Sequence, residues 1–240
     1  MNSYFSGTSN LVLPVKNKTY FPAAFQSGTR LTYYASIFSS IEINASFYRI
    51  PVSRTLVKWA AEVPDDFAFS FKLVKEVTHA QQQQFNLAPV PVFMDALNAM
   101  DKRGCLLVQL PPKFGPDITQ LTGLLAELTR YNWPVAVEFR HAGWYDDNVF
   151  ELLSAFDTAM VFHDMPKSAS PLISTSETFI YMRFHGPEGA YRGSYADDYL
   201  YEYAGYIREW MGEGKSVYCY FNNTLGAAIQ NLQTLNRFVG

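Results

Sequence analysis

The sequence predicts an α/β fold, a single (β/α)8 TIM-barrel-like domain in which parallel strands alternate with helices. Eight short runs rich in β-branched and aromatic residues recur along the chain. Most segments between these runs carry the apolar spacing of an amphipathic helix, about 3.6 residues per turn. This alternation favours a parallel sheet with right-handed crossovers, and at 240 residues closure into a barrel is the natural arrangement.

The predicted elements follow one another along residues 1–240 with no linker composition between them, so we predict one domain. The predicted strands are residues 4–9, 40–47, 67–73, 105–111, 135–140, 159–164, 179–186 and 216–223. Helical spacing is clearest at 53–62, 91–102, 117–131, 147–157, 197–211 and 225–238, and it is weaker at 29–39. The connection 165–178, rich in Pro, Ser and Thr, is predicted to lack a regular helix, and the glutamine run 81–84 to lie in a loop. An open doubly wound sheet is the alternative, but GTSN after the first strand is too short for its glycine-rich phosphate turn.

Composition excludes several classes of protein. Apolar residues make up 48% and charged residues 17%, which predicts a sizeable core and excludes disorder. The net charge of -3 gives no general sign of a nucleic-acid or membrane partner. No apolar run approaches the ~20 residues of a membrane span, and the first residues do not resemble a signal peptide. Cys105 and Cys219 lack metal or redox spacing and read as buried hydrophobes, so we expect a cytoplasmic protein.

Alternate residues within the predicted strands divide into an apolar face and a face that becomes polar near each carboxyl end. In 135–140, Val135, Val137 and Phe139 oppose Ala136, Glu138 and Arg140. The polar face of the other strands carries Glu42, Asn44, Lys72, Gln109, Arg183, His185, Tyr220 and Asn222. In a barrel this face points into the lumen, and its carboxyl mouth is where active sites lie. For the sixth strand, either His163 or Asp164 could face inward.

These polar residues predict a site for a small anionic molecule. Guanidinium groups such as those of Arg140 and Arg183 bind carboxylate or phosphate in a bidentate way, and Lys72 adds charge. Glu138, His185 and Glu42 are the candidates for acid–base catalysis. The predicted ligand-binding residues are Asn44, Tyr48, Lys72, His79, Gln109, Arg140, His141, Trp144, Asp164, Arg183, Tyr195, Tyr220 and Asn222. The aromatic members of this set are predicted to stack against a base or sugar, with capping of the barrel as the alternative.

Metal binding is the alternative use of the same residues. The four histidines fall at or near strand ends, where carboxylates could join them as zinc ligands. No local ligand motif such as H-E-x-x-H is present, and the nearby arginines and lysine would repel a cation. We therefore predict no metal ligands and no cofactor, and keep a divalent metal as the alternative.

Six segments together resemble a known family. They are SIEINASFYRIP, FSFKLVKEVTH, LLVQLPPKF, VAVEFRHAGW, YMRFHGPEGAYRGSY and YCYFNNT, in that order. They resemble the YecE-like family, a domain of unknown function (number 72), over nearly the whole chain. The resemblance implies a TIM-barrel-like fold with a groove lined by these residues, and it implies no established reaction. The sequence departs from the family pattern after the first G-T-S, where it reads NLVLPVKNKTYFP.

Three functions stay open at this point. The first is an enzyme with acid–base or hydrolytic chemistry on an anionic, phosphorylated or nucleotide-like molecule. The second is a binding module for single-stranded nucleic acid, in which the aromatic residues stack on bases. The third is a non-catalytic scaffold whose polar ring is an internal salt-bridge network.

Overall fold

The structure, a computed structural model, describes residues 4–80 and 84–240. Residues 1–3 and 81–83, the latter in the predicted glutamine loop, lie outside the described residues. The strands are β1 Tyr4–Thr8, β2 Ser40–Ile43, β3 Ala68–Lys72, β4 Arg103–Gln109, β5 Val135–Glu138, β6 Ala159–Met160, β7 Phe162–His163, β8 Phe179–Phe184 and β9 Ser216–Phe221. Each predicted strand is found at its place, and the sixth is split in two.

The strands form two parallel sheets. One has the order β2-β3-β4-β5-β6, and the other has the order β1-β9-β8-β7. The split of the sixth predicted strand places β6 beside β5 and β7 beside β8. Val161 lies between the two halves, and its N–H donates to the carbonyl oxygen of Val137 at 2.9 Å. One short strand thus passes from the first sheet to the second.

The structure confirms the predicted α/β fold with parallel strands, and it does not confirm the closure of these strands into one barrel. Among the described strands, the hydrogen-bonded ladders do not form one continuous ring. Between β1 and β2 there is a single isolated bridge, Ser9 with Glu42, and the N–H of Asn10 donates to the carbonyl oxygen of Glu42 at 2.8 Å. The ladder stops there because β2 ends at Ile43, and residues Asn44–Phe47 turn into a 3-10 helix.

The helices lie close to the predicted segments. They are α1 Arg30–Ala35, α2 Ser53–Ala61, α3 Lys75–Thr78, α4 Val90–Leu97, α5 Ile118–Leu128, α6 Asp147–Ala155, α7 Asp197–Gly212 and α8 Ala228–Val239. Side chains that accept backbone N–H groups start three of them, namely Thr29, Asp117 and Asp146. The connection 165–178 contains no helix, as predicted, whereas α3 was not predicted. No helix in the described ranges combines the length and apolar character needed to cross a bilayer.

Two apolar clusters confirm the alternation of faces within the strands. The larger cluster packs one face of the strands against the helices, and it contains Val135, Val137 and Phe139 of the fifth predicted strand. The smaller cluster lies where the opposite faces of the two sheets meet. Its members are Ala68, Cys105, Leu107, Ala136, Ala159, Val161, Phe179, Tyr181, Tyr218 and Tyr220. The residues at the carboxyl end of this inner face are therefore held between two packed layers.

Replacing Gly7 by alanine should destabilise the protein by about 3 kcal/mol, because β1 and β2 approach closely at this residue. A Cβ atom on residue 7 would lie 1.9 Å from the carbonyl oxygen of Ser40 and 2.8 Å from the Tyr34 hydroxyl. Urea denaturation measures the difference. The matched control is Gly123→Ala in α5, where a Cβ meets nothing within 4 Å. That substitution should stabilise by about 0.5–1 kcal/mol. An unchanged midpoint for Gly7→Ala would contradict this packing of β1 on β2.

Candidate functional site

Arg183 is the centre of the site. Its side chain extends from β8 and is only 2% exposed. One terminal nitrogen, Nη1, donates to Glu138 Oε2 at 2.5 Å, and the other, Nη2, donates to Glu42 Oε1 at 2.8 Å. Because Glu42 and Glu138 belong to the other sheet, one guanidinium ties the two sheets together. Its Nε atom is buried and has no hydrogen-bond partner among the described residues.

Glu42 is a fully buried carboxylate with a complete set of donors. Besides Arg183, it accepts hydrogen bonds from Ser9 Oγ at 2.6 Å, Asn44 Nδ2 at 3.1 Å and the Tyr181 hydroxyl at 2.7 Å. Burial by itself raises the pKa of Glu42, but the charge of Arg183 and these donors outweigh burial and lower it. Glu42 therefore stays ionised, and Ser9, in the loop that follows β1, is part of its environment.

Glu138 is shared by two arginines. Its Oε1 atom accepts from Arg140 Nε and its Oε2 atom from Arg183. Burial opposes ionisation, yet the charges of Arg140 and Arg183 hold the pKa of Glu138 well below its usual range. A carboxylate with so low a pKa is a weak base. Glu138 is thus suited to fixing two guanidinium groups, and its predicted catalytic role stays a prediction.

His185 is a buried, neutral imidazole beside this ion pair. Its Nε2 atom lies 3.1 Å from Arg140 Nη2 and 3.6 Å from Glu138 Oε1, and its Nδ1 atom lies 3.1 Å from the Asn222 amide. Burial is the main cause that lowers the pKa of His185 to about 3. Because an arginine can only donate, Nε2 accepts and Nδ1 carries the proton. The amide atom of Asn222 nearest to Nδ1 is Nδ2, which also donates, so a hydrogen bond to Nδ1 requires the opposite orientation of that amide.

Lys72 lies at the carboxyl end of β3, and its ammonium group has a neutral hydrogen-bond partner. The Nζ atom donates to Gln109 Oε1 at 2.7 Å and lies 4.2 Å from the centre of the Phe47 ring. It makes no ion pair with a carboxylate among the described residues. Desolvation by burial, followed by the positive charge of Arg183, lowers the pKa of Lys72 to about 8. Lys72 therefore loses its proton at a lower pH than an exposed lysine does.

Asp164 and Tyr195 lie on the other side of His185. The Tyr195 hydroxyl donates to Asp164 Oδ2 and accepts the N–H of Gly186 at 2.5 Å. Asp164 Oδ1 accepts the backbone N–H of His185 at 2.7 Å. Burial raises the pKa of Asp164. This pair links the residues that follow β7 and β8. Through the backbone N–H of His185, it helps to fix the position of that residue.

The structure does not bring all the predicted residues together. Trp144 stacks on Phe139 in the outer apolar layer, and its Nε1 donates to the carbonyl oxygen of Phe114 at 2.7 Å. The Tyr220 hydroxyl contacts Ser40 at 2.6 Å and Ser70 at 2.8 Å, deeper between the sheets.

Three further predicted residues are exposed. His141 accepts the N–H of Gly143 at 3.1 Å, which closes a local turn. His79 packs its ring edge against Phe47, and Tyr48 is 71% exposed. The predicted ligand-binding roles of these residues stay predictions, and the buried cluster is smaller than the predicted ring.

Tyr181 and His163 belong to the site although neither was among the predicted site residues. Tyr181 faces inward by the same alternation that placed Arg183 there, but its hydroxyl contact with Glu42 depends on a strand of the other sheet. The sequence left open whether His163 or Asp164 faces inward. His163 is the parallel neighbour of Arg183, and its Nε2 lies 2.9 Å from the carbonyl oxygen of Phe139.

Glu138, His163 and His185 are the described residues with the geometry of a metal site. One ligand atom from each lies within 4.8 Å of the others. Two of the three, Glu138 and His185, already contact the guanidinium group of Arg140. Arg140 therefore supplies a positive charge where a metal ion would bind, which disfavours a second cation. The absence of a metal from the predicted site stays a prediction.

Fold and site together define a parallel α/β protein whose ionised groups collect at the carboxyl ends of strands from two sheets. The family described as "Protein of unknown function DUF72" matches residues 5–240. The chain belongs to this YecE-like family, as the sequence motifs indicated.

Relatives in two bacteria carry a second name for the same family. The UPF0759 protein YunF of Bacillus subtilis (strain 168) is 26% identical over 240 residues, which cover 86% of this chain and 84% of that protein. The UPF0759 protein YecE of Escherichia coli (strain K12) is 29% identical over 120 residues, 49% of this chain and 43% of that protein.

Solved structures of the family share the fold. A DUF72 family protein from Enterococcus faecalis V583 superimposes with a TM-score of 0.79 at 20% identity, covering 98% of this chain and 95% of that one. A DUF72 family protein from Thermotoga maritima MSB8 gives 0.78 at 23% identity, covering 98% of both chains. At this identity the likeness extends to the fold alone.

Replacing His185 by glutamine should flatten the dependence of stability on pH. The folded-state pKa of His185 is depressed to about 3, so the unfolded chain, with a usual pKa of about 6.5, binds the proton first as pH falls. The stability linked to neutral His185 is complete above about pH 6.5 and is lost as pH falls toward 3. Between about pH 7 and pH 5.5, the free energy of unfolding of the wild type should fall by about 1 kcal/mol more than that of His185→Gln.

Urea denaturation at both pH values measures this difference. Glu42 and Glu138 do not interfere, because carboxylates with lowered pKa values titrate below this window. The matched control substitution is His141→Gln, at an exposed histidine. Equal pH dependence in the wild type and His185→Gln would contradict a buried neutral imidazole.

Proposed function

We propose that the protein is an enzyme that binds a small anionic molecule at the carboxyl ends of the strands. The observation that carries this proposal is that one cation of the site, Lys72, has no carboxylate partner among the described residues. Three cationic side chains, Lys72, Arg140 and Arg183, share two carboxylates, Glu42 and Glu138. Both carboxylates are held by the arginines, so Lys72 is left with only the neutral Gln109 as hydrogen-bond partner among the described residues.

The neighbouring histidines do not add to this charge. Burial lowers the pKa of His163 as well as that of His185, so both are neutral near pH 7. The oxygens of Asp164 are engaged by Tyr195 and by the backbone of His185. A positive charge shielded from water attracts an anion more strongly than an exposed one. The supported substrate is therefore a molecule with a carboxylate or phosphate group next to its reacting atoms.

The roles of the residues follow from their protonation. Glu42 and Glu138 are fixed anions that orient Arg183 and Arg140, and Arg140 binds the anionic group. With a pKa of about 3, His185 is also a weak base near neutral pH, so Lys72, with a pKa of about 8, is the candidate for proton transfer. Acid–base chemistry on an anionic substrate is the reaction class that these groups support.

We also infer that the two sheets enclose one barrel-like interior. Side chains from both sheets form the inner apolar cluster, and Tyr220 of one sheet contacts Ser40 and Ser70 of the other. The short strands β6 and β7 follow each other directly along the chain, which brings that edge of one sheet next to an edge of the other. These contacts support a TIM-barrel-like arrangement in which the site lies at the carboxyl mouth.

Arg140→Gln should weaken the binding of small anions at least about tenfold, because it removes a charge-assisted hydrogen-bond donor. The assay is thermal denaturation with inorganic phosphate, a nucleoside monophosphate or a sugar phosphate. A ligand at about 100 times its Kd stabilises the wild type by roughly 2.7 kcal/mol. Arg130→Gln is the control, since Arg130 pairs with Glu127 on the surface and should leave anion binding unchanged. If no anion raises the Tm of the wild type, the proposal fails. The hypothesis of a non-catalytic scaffold with an internal salt-bridge network is then favoured.

A second candidate function is the binding of single-stranded nucleic acid. Tyr48 and Tyr191 are 71% and 40% exposed, and the Tyr191 ring lies edge-on to His185 at 5.7 Å. Such rings can stack on bases next to a basic site. Affinity for a single-stranded oligonucleotide would then fall steeply with salt and fall further in Tyr191→Ala. Absent or salt-insensitive binding would remove this candidate.

A further inference from the structure

We propose that Lys72 is a nucleophilic amine that forms an imine with a carbonyl compound carrying a carboxylate or phosphate group. This inference rests on the proposed function and names its substrate class. Within the site, Lys72 is the residue whose polar atom is both a potential nucleophile and free of a charged partner among the described residues.

The position of Lys72 presents its amine to the site. Lys72 is the last residue of β3, on the strand face that carries Ser70, which contacts Tyr220 between the sheets. Its Nζ atom donates to Gln109 Oε1 at 2.7 Å, and the Phe47 ring lies 4.2 Å below it. Lys72 is a partly exposed residue, in contrast to the fully buried Glu42 and Glu138. One neutral acceptor and one aromatic face hold the nitrogen without neutralising it.

Burial is the main cause that favours the free amine of Lys72, and the charges around it act in both directions. Arg183 and Arg140 oppose its protonation, and Glu138 and Glu42 favour it, but both carboxylates already bind the guanidinium groups. His79 is the remaining titratable neighbour, and the charge of Lys72 contributes to lowering its pKa. With the pKa of Lys72 at about 8, the amine is free in about a tenth of the molecules at pH 7. In an exposed lysine of pKa about 10.4 this fraction is below about 0.1%.

The chemistry is a condensation without oxidation or reduction. The lone pair of Nζ attacks the carbonyl carbon, the carbonyl oxygen takes up a proton, and the nitrogen loses one, which gives a carbinolamine. Loss of the hydroxyl group as water then forms the imine, so amine plus carbonyl yields imine plus water. A desolvated lysine beside other cations has the reactivity that this step needs. Arg140 would hold the acidic group of the substrate while the carbonyl carbon meets Lys72.

A purely structural role would leave Lys72 as a packing and hydrogen-bonding partner of Phe47 and Gln109. In that case its amine would react no faster than that of an exposed lysine. Reactivity therefore separates the two roles without knowledge of the natural substrate. Lys113 is a suitable internal reference because it is exposed and makes no ion pair among the described residues.

The experiment uses glyoxylate, a small aldehyde with a carboxylate, and sodium cyanoborohydride, which reduces the imine to a stable secondary amine. Peptide mapping by mass spectrometry gives the rate of modification at each lysine near pH 7.5. Propionaldehyde, a neutral aldehyde, is the matched probe. The variants are Lys72→Gln, which removes the amine, and Arg140→Gln, which removes the proposed partner of the carboxylate.

We expect glyoxylate to modify Lys72 at least about tenfold faster than Lys113, with a rate that levels off above about pH 8. Glyoxylate should also be preferred over propionaldehyde at Lys72, and Arg140→Gln should reduce this preference. Equal rates at Lys72 and Lys113 would overturn the proposal, and equal rates with the two aldehydes would overturn the substrate class. If Lys72 and Lys113 react at equal rates but phosphate still raises the Tm, the proposed anion-binding function stands without the nucleophile.

Discussion

The ion pairs of Arg183 with Glu42 and Glu138 are the constraint on which the rest of the site depends. Each of these three side chains is withdrawn from water, at a cost of several kcal/mol per ion unless a partner is well placed. The partners come from different sheets, so the pairing is satisfied only when the two sheets lie in one relative position. Polar donors from Ser9, Asn44 and Tyr181 complete the coordination of Glu42. A site made of charges thus also fixes the geometry of the fold.

The chemistry available at the site is a consequence of the same pairing. Because the arginines hold both carboxylates, neither carboxylate pairs with Lys72. Burial outweighs the charge of Glu138 and keeps the pKa of His185 below its usual range. The glutamates, which resemble acid–base catalysts in the sequence, have lowered pKa values and stay ionised near neutral pH. The group that exchanges its proton near neutral pH is instead Lys72. Burial and shared partners, rather than residue type, assign these roles.

The two sheets approach each other along two edges, or seams, and each seam consists of short contacts. At one seam, β1 approaches β2 so closely that residue 7 has no space for a side chain, and the contact is an isolated bridge. At the other, a strand is divided between the sheets, with Val161 at the division. These short contacts place Ser9 and His163 next to Glu42 and Arg183. The seams therefore contribute residues to the site as well as contacts to the fold.

The sequence by itself determined the order of the strands and of most helices, and the inward face of most strands. Period-two alternation is local, so Glu138, Arg183 and His185 could be assigned to one face without knowledge of their neighbours. The tertiary structure decided which carboxylate each arginine binds, that Trp144 packs outward, and that the ladders stop short of a closed ring. Those outcomes depend on contacts between segments distant in the chain, such as Glu42 with Arg183, and local pattern does not encode such distances.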